Sequence, residues 1–242
     1  MNSTSAIKES AGLSLEIQSR LSEVDRYNEW IFDQFRPYLG RRVLDVGCAI
    51  GNITQYLLDR EFVCGIDVVE EFTTEIRKRF ADRLNFRAAL FDIADPAVVT
   101  AVASDNIDTI ISVNVLEHVE DDGQALDNMN RILTPGGKLL LLVPALQWLY
   151  GTMDAADNHY RRYNKRLLRE RITAHGFNVE KVYYMNLIGI AGWFVNGKIL
   201  KNDLISTSHY SLYNKIVPVI SKVESLVHPP IGLSVVSVAT KR

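Results

Sequence analysis

Between residues 43 and 143, short apolar and largely β-branched runs alternate with segments whose apolar residues recur at helical spacing. The runs at 43–46, 63–68, 85–89, 107–113 and 138–143 read as strands, and the segments at 52–59, 71–80 and 122–132 as helices. A strand, a helix and a second strand join parallel neighbours by a crossover. A chain patterned this way therefore closes into an open sheet with helices on both faces. Residues 139–143 contain no polar position, as expected of a strand covered on both sides.

Beyond residue 143 the pattern changes. Residues 164–176 predict a helix with an Asn164 cap and a Gly176 stop. Residues 179–185 and 233–241 alternate as strands, the second expected to run antiparallel beside the first. The fold class expected is α/β: a Rossmann-like, seven-stranded, mostly parallel sheet with an antiparallel last strand. Upstream, apolar residues at helical spacing from 14 to 38, closed by Pro37 and Gly40, predict an N-terminal helical cap over 1–40. Its first dozen polar residues are expected to fray, and Tyr27 and Trp30 to face the ligand end of the main domain at 41–242. Residues 187–231 are apolar with interspersed glycines. They are too many for a structureless loop, their apolar run is too short for a membrane span, and they predict a helical lid.

Charge narrows the function. The 27 Lys and Arg against 29 Asp and Glu give a net charge of −2, without the basic excess that holds a protein on nucleic acid. The two cysteines, Cys48 and Cys64, are too few for a disulfide scaffold and fit a reducing compartment. The N-terminus shows no basic segment leading into an apolar one, so a cytoplasmic protein without a transmembrane segment is expected.

The most informative turn runs from Val43 to Asn52. A dinucleotide fingerprint would need glycine at 47, 49 and 52, and only Gly47 is present. Asp45, two positions earlier, would repel a pyrophosphate but suits an ammonium group. Here the sequence resembles the class I S-adenosylmethionine-dependent methyltransferases. Their first motif, an acid followed by Gly-x-Gly-x-Gly, is matched by Asp45, Gly47 and Gly51, with Ala49 as a small departure. Asp67 falls 22 positions after Asp45, where the family holds both ribose hydroxyls. Phe91 and Asp92 follow the third strand, where the family meets the adenine amino group. Residues 112–119 and 133–138 look like its fourth and fifth motifs. The resemblance covers roughly 100 residues and implies S-adenosylmethionine as cofactor, S-adenosylhomocysteine as product, and contacts from Asp45, Gly47, Cys48, Ala49, Gly51, Asn52, Asp67, Val68, Asp92, Ile93 and Asn114. Several of these also have a purely structural reading: Asp45 could cap the turn, and Asp92 could close a turn of its own.

Methyl transfer from a sulfonium needs an aligned acceptor and, for a hydroxyl, a place for its proton. His118 and His159 are the candidate bases, whereas Cys48 reads as small packing. The string Leu116, Glu117, His118, Val119 also occurs in the ubiquinone-biosynthesis O-methyltransferases. Their metal site adds a glutamate where this chain has Asn114, and the lost carboxylate argues against a metal here. Tyr27, Tyr150, Tyr160, Arg161, Arg162 and Tyr163 are the expected substrate contacts, with Arg161 or Arg162 holding an anionic group. In the plainer alternative His159 and Tyr163 only staple the next helix. The C-terminal third is similar to bacterial methyltransferases associated with glycoconjugate synthesis, which implies a small-molecule or lipid-linked saccharide acceptor. O-methylation is the expected reaction. N-methylation and a non-enzymatic nucleotide-binding scaffold are the alternatives, and peripheral membrane contact through the insert stays open. Nucleic acid is not an expected partner, and the oligomeric state is not fixed by the sequence.

Overall fold

The computed structural model describes residues 24–201 and 207–242, the side chains of residues 207–212 excepted. The start of the expected cap, including its frayed dozen residues, and residues 202–206 of the insert lie outside the described residues. Seven strands form one sheet: β1 (Arg42–Val46), β2 (Phe62–Asp67), β3 (Phe86–Leu90), β4 (Thr109–Val113), β5 (Lys138–Pro144), β6 (Phe177–Met185) and β7 (Ser234–Lys241). Their order is β3-β2-β1-β4-β5-β7-β6. β7 pairs antiparallel with β5 and β6, and the other pairs are parallel. The chain leaves β1 toward β2 but leaves β4 toward β5, so a crevice opens between the carboxyl ends of β1 and β4.

The helices are α1 (Asp25–Phe35), α2 (Glu70–Arg79), α3 (Ala97–Ala101), α4 (Asp122–Ile132), α5 (Thr152–Ala156), α6 (Lys165–Ala174), α7 (Gly189–Phe194) and α8 (Thr207–Val227). The polar cap read from the sequence is made: Asn164 Oδ1 accepts the Leu167 N–H at 2.8 Å at the start of α6. On one face of the sheet, Leu126 and Met129 of α4 and Leu168 and Ile172 of α6 pack on Ile110, Leu139 and Leu141. On the other, Trp30, Ile31, Phe32 and Phe35 of α1 join Val217 and Ile220 of α8 over Val43, Ile111 and Leu140.

Two expectations need correction. Residues 52–59 do not form a regular helix. Thr54 turns its hydroxyl inward to Asp45, and the segment tightens into a 3₁₀ turn at Thr54–Tyr56, with Tyr56 N–H bonding the Ile53 carbonyl and Leu57 N–H that of Thr54. Nor does α1 present Trp30 to the crevice. Trp30 is buried against the sheet, and Tyr27 sits edge-on to Trp30 and Tyr213. Asn186 and Ser234 hold the Tyr27 hydroxyl. The expected cap therefore contributes a packed layer of the core.

Candidate active site

β1 delivers Asp45 to the crevice and then breaks into a turn where Gly47 (φ 72°), Ala49 (φ 43°) and Gly51 (φ 90°) are left-handed. Glycine is required at 47, where a Cβ would collide with Val115 Cγ2, and at 51, where it would lie 2.7 Å from Phe80 Cε2. Ala49 takes the strained conformation at the middle glycine's position, with its N–H held at 2.9 Å by Asp67 Oδ2. Asp67 Oδ1 accepts the Val69 N–H at 3.0 Å, which fixes the carboxylate at the tip of β2.

Asp45 is buried and accepts the Thr54 hydroxyl at 2.6 Å; burial pushes its pKa up to about 7. Burial also raises Asp67. Two buried carboxylates around a backbone turn with no room for side chains suit a ligand carrying an ammonium group and vicinal hydroxyls. The residues fit S-adenosylmethionine. Cys48 lies against Gly65, its thiol raised by burial, which leaves it no nucleophilic role. Asn52 is buried, and Val68 is exposed beside Asp67. Asp92 is exposed and accepts the Ala94 N–H at 2.8 Å, closing its own turn. Ile93 sends its side chain into the core. Asn114 is exposed and left-handed at the end of β4.

The contact between Gly47 and Val115 sets this turn against a second group of residues. After β4 a 3₁₀ turn carries Glu117 and His118, and the loop after α5 carries His159. The two are stitched together: Tyr160 N–H donates to the Glu117 carbonyl at 2.8 Å, and Arg161 donates to the carbonyls of Val119 and Glu120. The imidazole rings of His118 and His159 meet edge-on, 4.6 Å between centroids.

The histidines differ in charge. Burial lowers the His118 pKa, so at neutral pH it carries a free lone pair. Burial lowers His159 as well, but bonds to Asp154 and Asp157 and the nearby Glu117 outweigh it and push its pKa up to about 9. In this state His159 is already protonated and is not a ready base. Glu117 is fully buried, and burial holds its carboxyl well above the usual range.

Several expected substrate contacts are spent inside the protein. Arg162 is buried, with Nε on Asp154 Oδ1 at 2.7 Å, Nη1 on the Ala145 carbonyl, and its plane over Trp193. Tyr163 is buried, its hydroxyl on Asp122 Oδ2 at 2.9 Å, and it pairs with Ala145 in an isolated bridge. Both side chains face inward because a basic and a phenolic group can be buried once Asp154 and Asp122 satisfy them. Arg161 is occupied by the two carbonyls and by Asp122 at 3.2 Å. Arg161 is held by these bonds, and Arg162 keeps one guanidinium nitrogen, Nη2, buried without a hydrogen-bond partner among the described residues. Tyr150 bonds the His159 carbonyl at 2.7 Å, while Tyr160 stays 53% exposed. Sequence reasoning missed Thr54 and the buried Asp154, which joins His159 to Arg162. The run of Asp154, Asp157 and His159 was the available signal.

A family model described as a methyltransferase domain matches residues 18–182. The chain is 31% identical over 133 residues to the methyltransferase GfsG of Streptomyces halstedii, covering 54% of this chain and 46% of that protein. It is 32% identical over 176 residues to the ubiquinone/menaquinone biosynthesis C-methyltransferase UbiE of Paracoccus denitrificans, covering 61% and 67%. The chain spans about half the length of the first curated relatives it matches. Among solved structures, an S-adenosylmethionine-dependent methyltransferase from Mesorhizobium loti superposes with a TM-score of 0.59 at 13% identity, covering 86% of this chain and 96% of that one, which speaks to the fold.

Proposed function

The chain belongs to the methyltransferase-domain family, and on that premise we propose that it transfers the methyl group of S-adenosylmethionine to a hydroxyl of a small, partly apolar acceptor. The observation that carries this is the contact between the Gly47 turn and Val115, which sets the Asp45–Asp67 turn beside the cluster of Glu117, His118 and His159. Asp45 takes the ammonium and Asp67 the ribose hydroxyls, while Asp92 and the Ile93 main chain border the adenine. S-adenosylmethionine supplies an electrophilic methyl when bound. With the cofactor bound, the acceptor oxygen would take its methyl group as the S–C bond breaks, and His118, neutral and 34% exposed at its side chain, would receive the hydroxyl proton. His159 stays protonated between Asp154 and Asp157 and orients the acceptor's oxygen.

The acceptor's apolar part is supported by a shallow groove of about 370 Å³ lined by Trp148, Leu187, Ile190, Ala191, Phe194 and Ile231. A lipid-linked saccharide has both the hydroxyls and the apolar tail that these two regions call for. Residues 189–199 pack against the acceptor loop through Trp148 and Phe194, Thr152 and Gly197, and Arg162 and Trp193. They act as the cover that keeps water from the sulfonium. No described helix is long and apolar enough to cross a membrane. The two cysteines are free thiols, in keeping with a cytoplasmic site of action.

Incubation with methyl-labelled cofactor and a panel of hydroxylated lipid-linked and free sugars tests the reading. Label should reach an ether oxygen and fall sharply in His118→Ala. Transfer to nitrogen, or full turnover by His118→Ala, would contradict it.

A further inference from the structure

One group in this cluster is left unsatisfied by the protein itself. Glu117 is completely buried, yet neither of its carboxylate oxygens has a hydrogen-bond partner among the described residues. Buried carboxylates are ordinarily paired, hydrogen-bonded or bound to a metal. One ligand atom each from Glu117, His118 and His159 lie within 4.8 Å of one another. The third member comes from the loop after α5, a juxtaposition made only by the fold.

The surroundings are those of a ligand set. Asp154 Oδ1 sits 2.8 Å from His159 Nδ1, so that nitrogen keeps its proton toward Asp154, and a cation would take the place of the second proton, on Nε2. Asp154 is in turn fixed by Arg162 and by the Gly151 N–H at 3.0 Å, which locks the imidazole's orientation. Asp157 Oδ2 stands 3.3 Å from His159 Nε2 and 3.9 Å from His118 Nε2, offering a fourth, oxygen ligand on the exposed side.

We propose that Glu117, His118 and His159, with Asp157, bind one divalent transition-metal cation. Two imidazoles with carboxylates suit ions of the zinc and manganese kind better than magnesium or calcium, which prefer all-oxygen sites. This set differs from the one that the Leu116–Val119 string suggested by resemblance, because its third position, Asn114, is exposed and takes no part. The proposal deepens the acceptor-site reading and rests on it for the ion's role. A cation here draws the acceptor's oxygen and lowers its pKa. The proton then leaves to solvent water, replacing the transfer to His118 of the ion-free enzyme.

The test is calorimetric titration of the chelator-treated full chain with zinc chloride, and with magnesium chloride for comparison. The wild type should take up one zinc per chain and bind magnesium far more weakly. The near-isosteric Glu117→Gln and the loop variant Asp157→Asn should each weaken zinc at least tenfold while binding S-adenosylhomocysteine as the wild type does, which reports that they are folded. Absence of zinc uptake by the wild type, or unchanged zinc affinity in Glu117→Gln, would overturn the proposal. Failure of the wild type to bind S-adenosylhomocysteine would instead overturn the methyltransferase reading and leave the zinc result standing.

Discussion

Asp45 has to be ionised to hold an ammonium group, but burial raises its pKa to about 7. The free protein is therefore partly protonated there near neutrality, and ligand binding must expel that proton. Affinity for S-adenosylhomocysteine should rise about tenfold from pH 6 to pH 8 and flatten above, a slope set by one titrating carboxylate. Calorimetry across that range checks it, and Asp45→Asn should bind weakly with no such slope. Arg162 makes a different prediction. Removing its guanidinium leaves the buried Asp154 with His159 as its remaining cation, so Arg162→Ala should cost roughly 3 kcal/mol, read as a lowered melting temperature. These two residues also mark how far sequence reading reaches. Asp45, Gly47, Gly51 and Asp67 stand at spacings that only a strand, a tight turn and a second strand end explain. Arg162 and Tyr163 looked like surface contacts because nothing in a string of basic and aromatic letters says that Asp154 and Asp122 will fold over to satisfy them.

Among the elements, α7 and α8 divide the insert between two roles. α8 buries Val217 and Ile220 in the core beside α1, so removing all of residues 187–231 would strip a face of the sheet. Ile220→Ala alone should destabilise the fold by about 2 kcal/mol or more in denaturant titration. Residues 189–199 touch the acceptor loop instead. Replacing them with a Gly-Ser linker should keep S-adenosylhomocysteine affinity within about threefold while turnover falls. Retained turnover toward a water-soluble acceptor would show that they cover nothing essential. Its length and apolar content announced structure in this stretch but could not say which layer each helix would join. The opposite error at 52–59 has a similar origin: the spacing looked helical, and the hydrogen bond from Thr54 to Asp45 decided otherwise.

Over the whole molecule, the alternation of strands and helices made the parallel part of the sheet legible, because each crossover has one favoured hand. The meeting of Glu117 and His118 with His159 was not legible. It depends on the bonds that tie the Tyr160 loop back onto the turn after β4. A ligand that binds only the folded chain stabilises it by mass action. S-adenosylhomocysteine at a hundred times its dissociation constant should add about 2.7 kcal/mol and several degrees of melting temperature.

The central claim, that the Asp45–Asp67 turn holds S-adenosylmethionine, is tested most directly by titrating S-adenosylhomocysteine into the wild type and Asp67→Ala. The wild type should bind one molecule per chain, and Asp67→Ala about tenfold to a hundredfold more weakly, the cost of roughly 1.5–3 kcal/mol for a charge-assisted hydrogen bond. Equal affinity in the two proteins, or tight NAD binding with none of S-adenosylhomocysteine, would contradict the account.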